Sequence, residues 1–161
     1  MNGPIELNPD QQSDVYSQLA KLYVLQNEIR QAAATLESAI GYRPNDVAAR
    51  SMLATILMQL NQPGVALQHF EIVYQADPNF LRNLYFYSQA LAYTAPPLQN
   101  TTKALELANR AVELAPKAPA SYETLASIFA ANKEYEKVAD SAKKAIELHT
   151  ANGNEPAAKR M

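Results

Sequence analysis

The sequence predicts an all-α fold built from antiparallel pairs of helices. Alanine is abundant and glycine scarce, with 28 and 4 of 161 residues, a balance that favours closely packed helices over sheets. Prolines recur at a nearly constant distance, with 34 residues from Pro44 to Pro78 and 38 from Pro78 to Pro116. Between the prolines, apolar residues are spaced three and four apart, which is the period of an amphipathic helix.

The composition excludes several classes of function. Fourteen basic and sixteen acidic residues give a net charge of −2, which argues against a broad nucleic-acid surface. The absence of cysteine excludes disulfides, thiolate zinc sites and a cysteine nucleophile. No apolar run approaches the roughly 20 residues that span a bilayer, so we expect no membrane insertion by this segment. The compartment stays open, with the cytoplasm favoured.

Four units repeat in phase, at 13–46, 47–80, 81–118 and 119–152. Their first helices share the offsets of Tyr16, Leu19, Ala20 and Tyr23; Arg50, Leu53, Ala54 and Leu57; Leu84, Tyr87, Ser88 and Leu91; and Tyr122, Leu125, Ala126 and Phe129. Their second helices share those of Ala32, Leu36 and Ala39; Ala66, Phe70 and Val73; Ala104, Ala108 and Ala111; and Val138, Ala142 and Ala145. Each unit therefore predicts one helix pair, and we expect Leu53, Ala54 and Phe70 to be buried.

Capping and turn residues agree with these boundaries. The candidate N-caps of first helices are Asn45 or Asp46, and Asn79. Asn27 and Asn61 mark the turns inside the first two units, and Pro63 suits the first turn of a second helix.

The third unit is four residues longer than the others, and the excess lies in a predicted loop at 94–102 between its two helices. Pro96 and Pro97 cannot continue a helix, because a proline disfavours the α conformation of the residue before it. We expect this loop to project from one edge. A spacer is favoured over a partner contact.

Both ends of the chain suggest a segment cut from a longer repeat array. Residues 1–12 are expected to form a leader and the remnant of a preceding repeat, with an irregular natural N-terminus as the alternative. Residues 153–161, with Asn154 as N-cap, are expected to start a C-terminal capping helix. The first helix should then expose Val15, Leu22 and part of Tyr16, which predicts a monomer or weak self-association.

The spacing of these residues resembles the tetratricopeptide repeat, whose 34-residue unit has two helices and a closing proline. The resemblance covers most of the chain, although Arg50 replaces a large apolar residue and Thr150 replaces the closing proline. It implies helix pairs stacked into a right-handed superhelical solenoid. It also implies a noncatalytic protein-interaction module, a fragment of a larger scaffold or assembly protein. The alternative is an accessory array of a larger enzyme, such as a glycosyltransferase, with catalysis outside this chain.

In this family the first helices line a concave groove that binds a protein or peptide, which gives candidate contact residues by their position in the repeat. These residues are Ser17, Lys21, Ser51, Thr55, Met58, Gln59, Arg82, Tyr85, Gln89, Tyr93, Glu123 and Ser127. For Tyr85 and Tyr93, groove contact and packing between repeats are equally open. Tyr87 lies on the motif face and is expected in the core.

Some members of the family hold the C-terminal carboxylate of chaperones with a clamp of two lysines, two asparagines and an arginine. The matching positions here are Ser17, Lys21, Met52, Arg82 and Phe86. Arg82 alone is chemically close, so a chaperone carboxylate clamp is not expected. A shift by one repeat gives Ser51, Thr55, Phe86, Ala120 and Thr124, which fit less well.

No catalytic or metal-binding pattern is found in the sequence. His69 and His149 lie 80 residues apart, and neither belongs to a metal-ligand motif. Four scattered glycines cannot form a phosphate-binding loop. The carboxylates of the last helix alternate with lysines, which is typical of a solvated face. We therefore expect no enzyme activity, no cofactor and no metal in this chain.

Overall fold

The computed structural model describes residues 6–153, which form eight α-helices and no strand. The helices are α1 (Pro9–Leu25), α2 (Ile29–Tyr42), α3 (Val47–Gln59), α4 (Pro63–Ala76), α5 (Leu81–Tyr93), α6 (Thr101–Leu114), α7 (Pro119–Ala131) and α8 (Tyr135–Ala151). The predicted all-α fold of helix pairs is confirmed. The expected capping helix lies outside the described residues apart from Gly153, and so do the first five residues of the expected leader. Among the described helices, none is long and apolar enough to cross a membrane.

The chain divides into two compact units, Met1–Ala76 and Asp77–Met161. In unit 1, α1 pairs with α2, α3 pairs with α4, and α2 packs against α3. Ala20 and Ala54 are fully buried, which lets the paired backbones approach closely. Leu53 and Phe70 are also buried, as the sequence predicts.

In unit 2, α5 pairs with α6, α7 pairs with α8, and α6 packs against α7. First helices α5 and α7 also contact each other directly. Ser88 and Ala126 take the small-residue positions, and both are buried. Tyr87 is 4% exposed, so the expectation that it belongs to the core is confirmed.

The turns inside the first, second and fourth helix pairs each use a left-handed residue. Asn27 and Asn61 have φ of 61° and 58°, as expected for residues that tolerate this conformation. Lys133 takes the same position in the last pair with φ of 61°, one residue after Asn132.

Two helix starts differ from the predictions. Helix α1 begins at Pro9, inside the range 1–12 assigned to a preceding repeat, because Asn8 and Gln11 form a reciprocal capping box ahead of it. Asp46 caps α3 by accepting from the backbone N–H of Ala49, as predicted. Asn79 does not cap α5. The helix begins at Leu81 with Phe80 as its N-cap, and the Asn79 side chain accepts hydrogen bonds from Arg110 instead.

The long connection of the third pair runs from α5 to α6. Helix α5 ends at Tyr93, before the two prolines, as predicted. Asn100 ends the loop: its backbone N–H donates to the Leu91 carbonyl and its side chain caps α6 by accepting from Lys103. The loop is therefore two residues shorter than the predicted 94–102.

The expected apolar exposure of α1 is confirmed for Val15 and Leu22, which are 52% and 55% exposed. Tyr16 is half-buried, and its ring stacks on that of Tyr42 at a centroid distance of 5.6 Å.

Candidate functional site

The candidate contact residues lie on the first helices of the four pairs. We call the row on α1 and α3 the α1/α3 face; it comprises Ser17, Lys21, Ser51, Thr55, Met58 and Gln59. We call the row on α5 and α7 the α5/α7 face; it comprises Arg82, Tyr85, Gln89, Tyr93, Glu123 and Ser127. The first face belongs to unit 1 and the second to unit 2.

On the α1/α3 face, Lys21 and Gln59 are exposed, while Thr55 and Met58 are half-buried. Ser51 is fully buried, so its side chain is not accessible on this face, and its role as a contact residue stays a prediction. The hydroxyl of Thr55 is also occupied, since it donates to the Ser51 carbonyl at 2.9 Å.

A cavity of about 190 Å³ opens between α1 and α3. Ser17 and Lys21 line it from α1, Met52 lines it from α3, and Leu36 of α2 contributes to its wall. The Oγ of Ser17 is buried without a hydrogen-bond partner in the part of the chain that the structure describes, and the Nζ of Lys21 is 3.4 Å from the side-chain oxygen of Gln18. Hydrogen-bond donors therefore face a partly apolar cavity.

The acidic groups beside this cavity are already paired. The Arg43 guanidinium contacts Asp14 at 2.7 Å and also contacts Asp46. Burial alone would raise the pKa of Asp46, but hydrogen bonds from the Ala49 N–H and from Arg43 outweigh it and lower that pKa. Asp46 is therefore ionised at neutral pH, and Lys21 is the charged group on this rim without a carboxylate partner among the described residues.

On the α5/α7 face, two tyrosines cross from α5 to α7. The hydroxyl of Tyr85 is 2.9 Å from the Oγ of Ser121. The hydroxyl of Tyr93 donates to the Ser127 carbonyl at 2.7 Å and accepts from the Ser127 Oγ at 3.2 Å. Both tyrosines thus pack between helices, yet Tyr93 is 59% exposed, so packing and surface presentation coexist at this residue.

The remaining groups on this face differ in their availability. Arg82 is exposed, with its guanidinium 5.9 Å from the centre of the Phe86 ring, and Gln89 is half-buried. Glu123 is engaged, since its Oε1 lies 2.6 Å from the Nε2 of His149 on α8. Sequence analysis missed this pairing. The repeat position of His149 could have indicated it, because Arg43 lies at the same position in the first repeat and also contacts a first helix.

The two histidines lie apart within the part of the chain that the structure describes. His69 has its Nδ1 3.4 Å from an Arg50 nitrogen, and His149 contacts Glu123. Among residues 6–153, no group of three histidine, cysteine or acidic residues is arranged to hold a metal ion. These histidines therefore lie in helix-packing contacts.

The comparisons with known proteins agree with this geometry. The family model of the tetratricopeptide repeat matches residues 17–79, and no curated protein matches the sequence. The fold is similar to that of YrrB, described as a TPR protein with an unusual peptide-binding site, with a TM-score of 0.70, 20% identity, and coverage of 92% of this chain and 75% of YrrB.

Two further solved structures share the fold. A thermophilic TPR protein of Thermus thermophilus gives a TM-score of 0.73 at 19% identity, covering 91% of this chain and 86% of the other. MamA of Desulfovibrio magneticus RS-1 gives 0.70 at 16% identity, covering 92% and 90%. At these identities the likeness establishes the fold, a solenoid of helix pairs. The in-phase repeats and the match over residues 17–79 support the tetratricopeptide repeat family.

Proposed function

We propose that this chain is a noncatalytic protein-interaction module that binds a peptide or a partner helix along its first helices, within a larger scaffold or assembly protein. The observation that carries this proposal is the exposure of Lys21, Gln59, Arg82 and Tyr93 on those helices. Packing does not require large polar side chains at such positions, whereas arginine and tyrosine are enriched where proteins anchor their partners.

Two further features support binding over catalysis. The cavity beside Lys21, of about 190 Å³, has room for one side chain of a peptide. The family is built of interaction modules, and one similar structure, YrrB, is described by its peptide-binding site.

Differential capture from a cell lysate tests the proposal. The immobilised chain is compared with Lys21→Ala, Arg82→Ala and Tyr93→Ala, and with the control variants Lys143→Ala and Tyr135→Ala, which remove similar exposed side chains from second helix α8. We expect proteins that bind the unaltered chain and both controls, and bind at least one first-helix variant several-fold less. If every captured protein binds all variants equally, the proposed surface is wrong.

A further inference from the structure

One face of helix α5 carries a charged, an amide and two aromatic side chains in a row. Arg82, Tyr85, Gln89 and Tyr93 follow one another at spacings of three, four and four residues, so their side chains lie along one face of the helix. From Arg82 to Tyr93 the stripe is about 16 Å long, at about 1.5 Å per residue. We call it the α5 stripe.

Tyr93 is held in place before any ligand arrives. Its hydroxyl makes two hydrogen bonds to Ser127 of α7, and still more than half of the residue is exposed. An exposed side chain that is already ordered loses little conformational entropy on binding. Because the hydroxyl is used within the protein, what Tyr93 offers a ligand is the face of its ring.

Helices α5 and α7 each carry one charged residue. Arg82 is the charged residue of α5, and Glu123 is the charged residue of α7. Glu123 is bonded to His149, whereas Arg82 forms no ion pair with the described residues. The α5 stripe itself therefore carries a positive charge, which attracts an acidic ligand and disfavours a basic one.

We propose, on the basis of the proposed function, that the α5 stripe selects an extended acidic peptide segment. Its acidic residue pairs with Arg82, and a proline or aromatic residue stacks on Tyr93. An extended chain advances about 3.3 Å per residue, so a stripe of about 16 Å places these two residues about five apart. Gln89 lies between them, where its amide can bond the backbone of the peptide.

A display library of random 12-residue peptides, selected on the immobilised full chain, tests this inference. We expect enriched peptides to carry Asp or Glu four to six residues from proline, phenylalanine, tyrosine or tryptophan. The best peptide should bind Arg82→Ala and Tyr93→Ala at least tenfold more weakly, and bind the controls Lys143→Ala and Tyr135→Ala unchanged. Tyr93→Phe keeps the ring and removes its hydrogen bonds, so it should lose about threefold. Circular dichroism of each variant checks that its helices form.

The outcomes separate this inference from the proposed function. If peptides are enriched but lack the acidic residue or the ring, or bind Arg82→Ala and Tyr93→Ala normally, the inference fails. In that case loss of binding to Lys21→Ala would keep the proposed function and move it to the α1/α3 face. If no peptide and no lysate protein distinguishes the unaltered chain from its first-helix variants, the proposed function fails as well.

Discussion

The two units of this molecule have equivalent buried positions but different residues on the exposed side of their first helices. Ala54 of unit 1 and Ser88 of unit 2 lie at the same repeat position, and both are fully buried where paired helices meet. On the exposed side the units diverge. Unit 1 has Ser17 and Ser51 at the repeat position of Tyr85 and a cavity of about 190 Å³, whereas unit 2 has Tyr85 and Tyr93 bonded across to the next first helix.

The difference shows which positions packing controls. A side chain between two helices must fit a fixed volume, so each unit chooses a small residue there. A side chain on the outer row of a first helix meets no such limit, and its identity is free to serve a partner. One such offset accordingly carries Lys21, Thr55, Gln89 and Ser127 in the four repeats, and none of these residues is buried.

The largest expected effect on stability comes from the small residue between paired helices, which both units have. Ala54→Glu in unit 1 and Ala126→Glu in unit 2 each place a carboxylate between paired helices, where burial leaves it without a partner. We expect each to lower the free energy of unfolding by about 3–5 kcal/mol. Urea unfolding measures this loss, and Gln59→Glu, an exposed change on α3, serves as the control with almost none. If either core variant unfolds like the unaltered protein, the helix pairing of that unit is wrong.

A second comparison concerns two buried serines of first helices. Ser121 of α7 hydrogen-bonds Tyr85 and the carbonyls of Ala111 and Ala115, while the Oγ of Ser51 in α3 is buried with no hydrogen-bond partner among residues 6–153. Ser121→Ala should therefore destabilise the protein by about 1–2 kcal/mol. Ser51→Ala should stabilise it by up to about 1 kcal/mol, because it removes an unpaired hydroxyl and alanine favours the helix.

Paired urea unfolding curves of these two variants check the opposite signs. A loss of stability in Ser51→Ala would mean that its hydroxyl has a partner after all, and the contrast between the two units at this site would disappear.

The fold was predictable from the sequence because its signals repeat. Four in-phase stripes of apolar residues and the regular prolines define the eight helices, and Asn27 and Asn61 mark two of the turns. The exposure of the candidate contact residues was less predictable, because it depends on which neighbour each side chain reaches. Sequence position alone could not show that Glu123 turns towards His149, or that Ser51 ends below the surface.

Arg50 illustrates the same limit at a core position. It replaces a large apolar residue, and periodicity alone treats it as a defect. The structure leaves it half-buried, with its Nε donating to the Pro44 carbonyl at 2.7 Å and its guanidinium beside His69. A long side chain can fill an apolar position with its stem while its head finds polar partners.

The turns provide the next contrast between the units. Deletion of residues 96–99 would join Ala95 to Asn100 and give the third pair the length of the second, with Ala95 in the position of Asn61. Since Asn61 has φ of 58°, alanine at this position should cost about 1 kcal/mol relative to glycine. We expect the deletion variant to fold, and Ala95→Gly to raise its melting temperature.

Circular dichroism and thermal unfolding of both deletion variants measure these effects. If the deletion unfolds the protein even with Ala95→Gly, the loop is a structural element and the spacer interpretation is wrong. Ala95→Gly in the full-length loop is the control, because no tight turn is required there.

The smallest expected effect is a pH dependence that arises in unit 1. Burial, and then the positive charge of Arg50, lower the pKa of His69 below its ordinary 6.5, although Glu37 opposes the shift. Below pH 6.5 the unfolded chain therefore takes up a proton that folded His69 resists, so stability is complete above this pH and declines as the pH falls. Asp46 has a lowered pKa as well, and its contribution is lost below 3.8, outside this window. Unfolding by urea at about pH 7 and about pH 5 should thus show a loss that is smaller in His69→Gln. An equal loss in the two proteins would assign the pH dependence to other groups.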